Sequence, residues 1–196
     1  MDQGRGLAPD PPGRPGRARL PGPDRLVPRH RGRRLRPRQK RGALTGPSPV
    51  DRGKPGSKIH VLSDRGGLPL SVAASAANVN DALALKALVR AIPAIRSRRG
   101  PRRRRPAKLH ADKAYDQADL RRWLRDRGIA ARIARKGVES SEKLGRHRWV
   151  IERTIAWLTG YRRLTLRYER NASHFLAFIT LAATLTCYKK LTKLTT

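Results

Sequence analysis

The sequence has a single cysteine, Cys187, so no internal disulfide can form and no cysteine-rich zinc site can be assembled, and a reducing interior is the expected setting. Its five histidines show no zinc-ligand spacing with that cysteine. Carboxylates are scarce: 14 Asp and Glu stand against 46 Lys and Arg, for a net charge of +32. That imbalance is far beyond what solubility requires and points to a polyanionic partner. The excess of Arg over Lys suits phosphate, which a guanidinium grips with two parallel hydrogen bonds. Charge alone does not separate an enzyme from a ribosomal or chromatin protein. No apolar run is long enough to cross a bilayer; Phe175 to Tyr188 is interrupted by threonines and reads as a core helix. The first residues lack the apolar segment of a signal peptide, so no membrane partner is expected.

Met1 to about Gln39 is dominated by Arg, Pro and Gly and has almost nothing to bury, so residues 1–40 are expected to be a disordered tail. Two readings stand for it: a basic arm that touches DNA backbone, or out-of-frame sequence of the Arg, Pro, Gly and Ala composition that GC-rich DNA gives in any frame.

The character changes at Arg41, where a polar, turn-rich connector leads to the first strand signals at Lys58. Ile59, Val61 and Leu62 read as a strand, Asp64 to Gly67 as a hairpin turn and Leu68 to Ala74 as its partner. Asn80 is a suitable N-cap for a helix with Leu85, Leu88, Val89 and Ile92 inward, ended by Pro93. Arg96 to Pro106 reads as a solvated, charge-repelling loop whose arginines suit DNA backbone. A short buried strand follows and ends at Asp112. Asp116 is expected to cap a helix burying Leu120, Trp123 and Leu124 and closed by Gly128, and Ile129, Ala131 and Ile133 alternate as a further strand. Two helices complete the chain, the last spanning about Ser173 to Lys190. The order strand, strand, helix, strand, helix, strand, helix, helix predicts a mixed α/β sheet flanked by helices.

Two stretches carry the chemistry. In Arg146 to Leu158, R-H-R-W-V-I-E-R-T-I-A-W-L, residues Val150, Ile151, Thr154, Ile155, Trp157 and Leu158 recur at helical spacing, with Glu152 at the edge of that face and Arg148 one turn before it. In Lys108 to Tyr115, K-L-H-A-D-K-A-Y, a strand ends on the carboxylate of Asp112. A strand-end Asp and a helix-borne Glu are the kind of rigidly held anionic oxygen ligands that hard divalent cations require.

Together with T-G-P-S-P-V-D-R-G-K-P-G-S-K, A-N-V-N-D, I-A-R-K-G and Y-R-R-L-T-L-R-Y-E-R, these motifs resemble, from about Arg41 to Leu191, the transposases of bacterial insertion sequences of the type-five group. The resemblance implies a ribonuclease H-like core over 41–191 with a DDE triad. Asp112 matches the second Asp, Glu152 the Glu, and Arg148 the Arg four positions before that Glu. It further implies Mg²⁺ (or Mn²⁺) at Asp112 and Glu152, insertion-sequence ends and target DNA as partners, self-association as a homo-oligomer, and a bacterial cytoplasmic, nucleoid-associated location. Lys113, Arg135, Lys136, Arg146, Arg148 and Arg153 lie near the inferred site and suit DNA phosphates, or else form a solvated basic face.

The family's first Asp belongs near Gly32 or Arg33, where this sequence has no carboxylate and no apolar strand. The expectation is therefore a sheet without its central first strand and a catalytically defective enzyme. Asp64 ends a strand antiparallel to the missing one and points away from Asp112, so it does not replace the lost acid. His110 shares a strand face with Asp112, as a packed core residue or as a support for the site. Trp149 and Trp157 read as base-stacking or, especially Trp157, core residues. From a different class, the alternative is a non-catalytic basic DNA- or RNA-binding protein in which Asp112 and Glu152 only balance charge.

Overall fold

The computed structural model describes residues 27–28, 42–50, 52–96, 101–135 and 141–195, with side chains left undescribed at 27–28, 141–148 and 194–195. Strands β1 (Val27–Pro28) and β2 (Gly46–Pro47) are short, while β3 (Pro55–Ser63) and β4 (Pro69–Ala76) form the main hairpin. Helix α1 (Ala82–Arg90), the ribbon β5 (Ile95–Arg96) and β6 (Arg102–Arg103), and β7 (Lys108–Ala111) follow. Helix α2 (Ala118–Asp126), β8 (Ala130–Ile133), α3 (Ser141–Thr159) and α4 (Ala172–Thr195) complete the chain. This is the mixed α/β architecture that the element order predicts.

The hairpin β3–β4 pairs antiparallel from Ser57↔Ala76 to Leu62↔Ser71. Period-two alternation on β3 separates two apolar surfaces. Val61 and Ile59 face one cluster with Ile151, Leu158, Phe175 and Ile179 of α3 and α4. Leu62 faces the other, with Leu85, Leu88 and Val89 of α1, Leu109 and Ala111 of β7, and Leu120 and Leu124 of α2. Each of these fully buried leucines contributes about 1.5–3 kcal/mol through removal of apolar surface from water. Strands β7 and β8 pair parallel, Lys108↔Ala130 through Ala111↔Ile133.

Strand β1 lies at the end of the four-stranded sheet, beside β3. Val27 and Pro28 pair antiparallel with Ser63 and Leu62, and the same two residues pack against β7. A strand thus occurs inside the segment expected to be a featureless tail, and its two described residues carry no carboxylate. Gly32 and Arg33, where the resemblance puts the first Asp, lie outside the described residues.

Other local expectations change. At α1 Asp81 holds the N-cap position without a side-chain bond, and the expected cap Asn80, one residue earlier, accepts from Ala82 N at 3.0 Å. Asp116 does not cap α2: Gln117 holds the N-cap position without a side-chain bond, and Asp116 instead pairs with Arg121 at 2.7 Å. The pairing wins because Arg121, one turn into the helix, also donates to the Ile133 carbonyl at 2.9 Å and so ties α2 to β8. The Arg-rich loop contains the β5–β6 ribbon, with Ile95 opposite Arg103.

A buried guanidinium joins the connector before β3 to the turn before α4. Arg167 is 2% exposed. It donates to Ala43 O at 2.6 Å, Leu44 O at 3.0 Å and Glu169 O at 3.1 Å, and also to the Ser57 hydroxyl, while its charge lies over the Phe175 ring at 4.6 Å. Removing it strands buried carbonyls without donors. Arg167→Ala is expected to cost about 3 kcal/mol of stability, measured as a lowered urea midpoint. Arg167→Lys is expected to recover little, because one ammonium cannot span acceptors that the planar fork reaches together.

Candidate active site

Parallel pairing sends β7 and β8 out of the sheet at the same edge, and Ala134 N still donates to Ala111 O at 3.2 Å there. Asp112 is the next residue on β7, so its carboxylate stands at the carboxyl edge of a parallel pair. Its backbone remains extended, and a 3₁₀ turn over Lys113–Tyr115 begins directly after it. The carboxylate accepts from Lys113 N at 2.5 Å, which fixes it against the turn. Tyr115, buried under this turn, has its phenol pKa pushed far up, first by burial and then by the charges of Asp81 and Asp112, and it stays neutral. Lys113 and Arg135 are exposed on the same edge.

Glu152 sits on α3. Val150, Ile151, Thr154 and Leu158 form the buried stripe, and Glu152 projects from the exposed side. The next two residues anchor the helix on the hairpin turn between β3 and β4. Arg153 donates to Gly66 O at 2.7 Å and the Thr154 hydroxyl to Gly67 O at 2.7 Å. Gly67 has φ +86°, and a Cβ there would meet the Thr154 hydroxyl at 2.9 Å, so the turn and the helix approach only with glycine at this position. Both α3 and β7 pack on β1, so the elements that carry the two acids share that short strand as a neighbour.

The anticipated phosphate ligands divide. Lys113 and Arg135 are available at the Asp112 edge. Lys136 and the side chains of Arg146 and Arg148 lie outside the described residues. Arg153 is committed inside the protein: besides Gly66 O, its guanidinium lies over Trp149 at 4.3 Å and Trp157 at 4.9 Å. Trp149 is 53% exposed, whereas Trp157, expected in the core, stands half-buried outside both apolar clusters and lines a surface cleft. Asp64 belongs to the hairpin turn, accepting from Leu68 N at 2.7 Å. Among the described residues no three of His, Cys, Asp and Glu gather as a metal-binding group. Two carboxylates have the hard-oxygen chemistry that a divalent cation wants, but the described donor set falls short of a complete two-metal site.

Asp112 thus stands at a sheet edge and Glu152 on the exposed side of a helix, and β7 and α3 both pack on β1. The chain belongs to the DDE transposase family, residues 27–187 matching the Transposase DDE domain; the matched region opens where β1 begins. It is also 45% identical over 170 residues, 87% of this chain and 81% of the relative, to a Burkholderia cepacia protein that carries the name transposase for insertion sequence element IS402. Domains of this family act on DNA and generally use a divalent metal. No described helix is long and apolar enough to cross a membrane.

The pKa of Asp64 is raised, chiefly by burial, against the lowering effect of its backbone hydrogen bonds and of Arg153. The native state therefore holds this proton more tightly than the unfolded chain. Stability falls as pH rises from the ordinary carboxylate value through the native one, and is greatest below that window. Asp64→Asn, which keeps the acceptor for Leu68 N, is expected to remove this fall and to raise the urea midpoint above the window. Parallel midpoint–pH curves for the two proteins would refute this assignment.

Proposed function

We propose that this chain is a DNA transposase of an insertion sequence, descended from an enzyme of metal-dependent strand cleavage and strand transfer, that retains DNA binding and has lost most or all cleavage. The observation that carries this reading is the placement of Asp112 at the carboxyl edge of the parallel pair and of Glu152 on α3, both elements packed on a strand, Val27–Pro28, that bears no acid. The strand succession β4, β3, β1, then β7 and β8 supports a ribonuclease H-like ancestry.

In this reading Asp112 and Glu152 hold Mg²⁺ or Mn²⁺, which supplies charge stabilisation for phosphodiester cleavage when it is bound. With a third anionic ligand missing, the cation's charge is under-compensated and its affinity is low. Lys113 and Arg135 hold DNA phosphates at the Asp112 edge, while Arg153 keeps α3 on the hairpin turn rather than touching DNA. Copies of the chain bring the element's ends together, and the protein works at the nucleoid in the bacterial cytoplasm.

A nicking assay on end-containing DNA, with Mg²⁺ or Mn²⁺ and with Asp112→Ala as control, tests the defect. Both proteins are expected to bind the DNA and to leave it nearly intact at the same background rate. Metal-dependent cleavage that Asp112→Ala abolishes would overturn the claim of inactivity.

A further inference from the structure

The C-terminal end of α3 and the C-terminal half of α4 border a cleft of about 340 Å³, lined by Trp157, Gly160, Tyr161, Thr186, Lys189, Lys190 and Lys193. No carboxylate is among these residues. Three ammonium groups around one small space repel each other, and aromatic faces offset part of that cost: Lys190 Nζ lies 4.1 Å from the Trp157 ring centre and Lys189 Nζ 5.2 Å from that of Tyr161. Arg153 approaches Trp157 from its own helix, at 4.9 Å, and its bond to Gly66 O holds it there. The Thr186 hydroxyl donates to Ala182 O at 2.8 Å, and the Tyr161 hydroxyl, 3.4 Å from it at the wall, is the neutral donor the cleft presents. The cleft therefore presents ammonium groups, aromatic faces and a tyrosine hydroxyl, which is the combination that suits a phosphate joined to a flat apolar group. Glu152 precedes Trp157 by five residues on α3 and so projects from a different side of the helix, which separates this cleft from the acidic residues.

We propose that the cleft is a binding site for one unpaired nucleotide of a DNA strand. Lys189, Lys190 and Lys193 take its phosphates, and the base stacks on Trp157 in the place that the Lys190 ammonium vacates as it turns to the phosphate. The proposal rests on DNA as the partner but not on the acid pair, so a chain that fails to cleave can still bind here. A duplex keeps its bases stacked inside and offers the cleft only phosphate, so the site favours single strands or frayed ends.

A chain this basic binds DNA over much of its surface, and the test needs a local reporter. In the full chain carrying Trp123→Phe and Trp149→Phe, Trp157 is the sole indole. Titration with a short oligothymidylate is expected to quench its fluorescence, while an abasic oligomer of the same charge does not. Adding Lys190→Gln and Lys193→Gln is expected to weaken the quenching interaction about tenfold and to lower its salt slope by about 0.7 for each lysine removed. Equal responses to the abasic chain, to duplex or to inorganic phosphate would overturn the proposal. So would an unchanged Trp157 signal once labelled oligonucleotide is fully bound by anisotropy. Photocrosslinking of 5-iododeoxyuridine oligomers to the unsubstituted chain provides a second reading: attachment at Trp157 or Tyr161 is expected, and attachment confined to other peptides would sink the assignment.

Discussion

The constraint beneath this structure is the shortage of carboxylates. With 46 basic side chains and 14 acidic ones, most cations cannot find an anion inside the protein. Those that the fold brings inward are held by carbonyl oxygens and aromatic faces. Arg167 gathers the carbonyls of Ala43, Leu44 and Glu169; Arg153 takes Gly66 O and two tryptophan rings; Lys58 donates to Val79 O as well as to Asp81; Arg121 donates to Ile133 O as well as to Asp116. A carbonyl at the end of a strand or turn has a spare lone pair and little desolvation left to lose, so it accepts a cation at lower cost than burial of a second full charge. Each such bond also joins segments far apart in sequence: connector to C-terminal turn, helix α3 to hairpin, helix α2 to strand β8.

The same shortage gives the few exposed acids their meaning. Four acids, Asp81, Asp116, Asp119 and Glu169, are taken by Lys58, Arg121, Lys86 and Arg163. Asp112 is held differently, by the amide of Lys113 at the start of a turn. A backbone amide fixes a carboxylate without neutralising it, so negative charge remains at an edge that is otherwise positive through Lys113 and Arg135. Such an edge offers anionic oxygen to a cation and basic groups to a phosphate within one small area.

Much of this was legible in the residue pattern, because it depends on local periodicity. Alternation of Ile59 and Val61 against Leu62 reports the two faces of β3, and the spacing of Ile151, Thr154 and Leu158 reports the buried side of α3. Asp112 at a strand end followed from the same rules, whereas Glu152, expected at the edge of the buried face of α3, is exposed. Long-range polar choices were not legible. Arg153 looks like one more member of a basic helix face until Gly66, far upstream, presents its carbonyl, and Trp157 reads as core until α4 places Lys190 rather than a leucine beside it. Asp116 faced two competing uses, cap and ion pair, and only the arrival of Arg121 beside Ile133 O selects between them. No spacing rule could have found the Arg167 clamp, whose acceptors are mostly backbone atoms and would look the same with many other side chains.

The weak point of the architecture is the strand between the two acid-bearing elements. A central strand normally holds both neighbours by complete ladders, which sets their relative position to within a fraction of an ångström. Here β1 offers two residues, one of them a proline without an N–H, and among the described residues its ladder runs to β3 alone. The β7–β8 pair therefore meets the rest of the sheet by packing rather than by hydrogen bonding at this point. Packing tolerates small shifts that a two-metal site does not, since its ligands must be held to about half an ångström. Charge and apolar packing ask less of this strand, since the two apolar clusters draw on β3, α1, α2, α3 and α4 and the excess of basic side chains is spread along the chain.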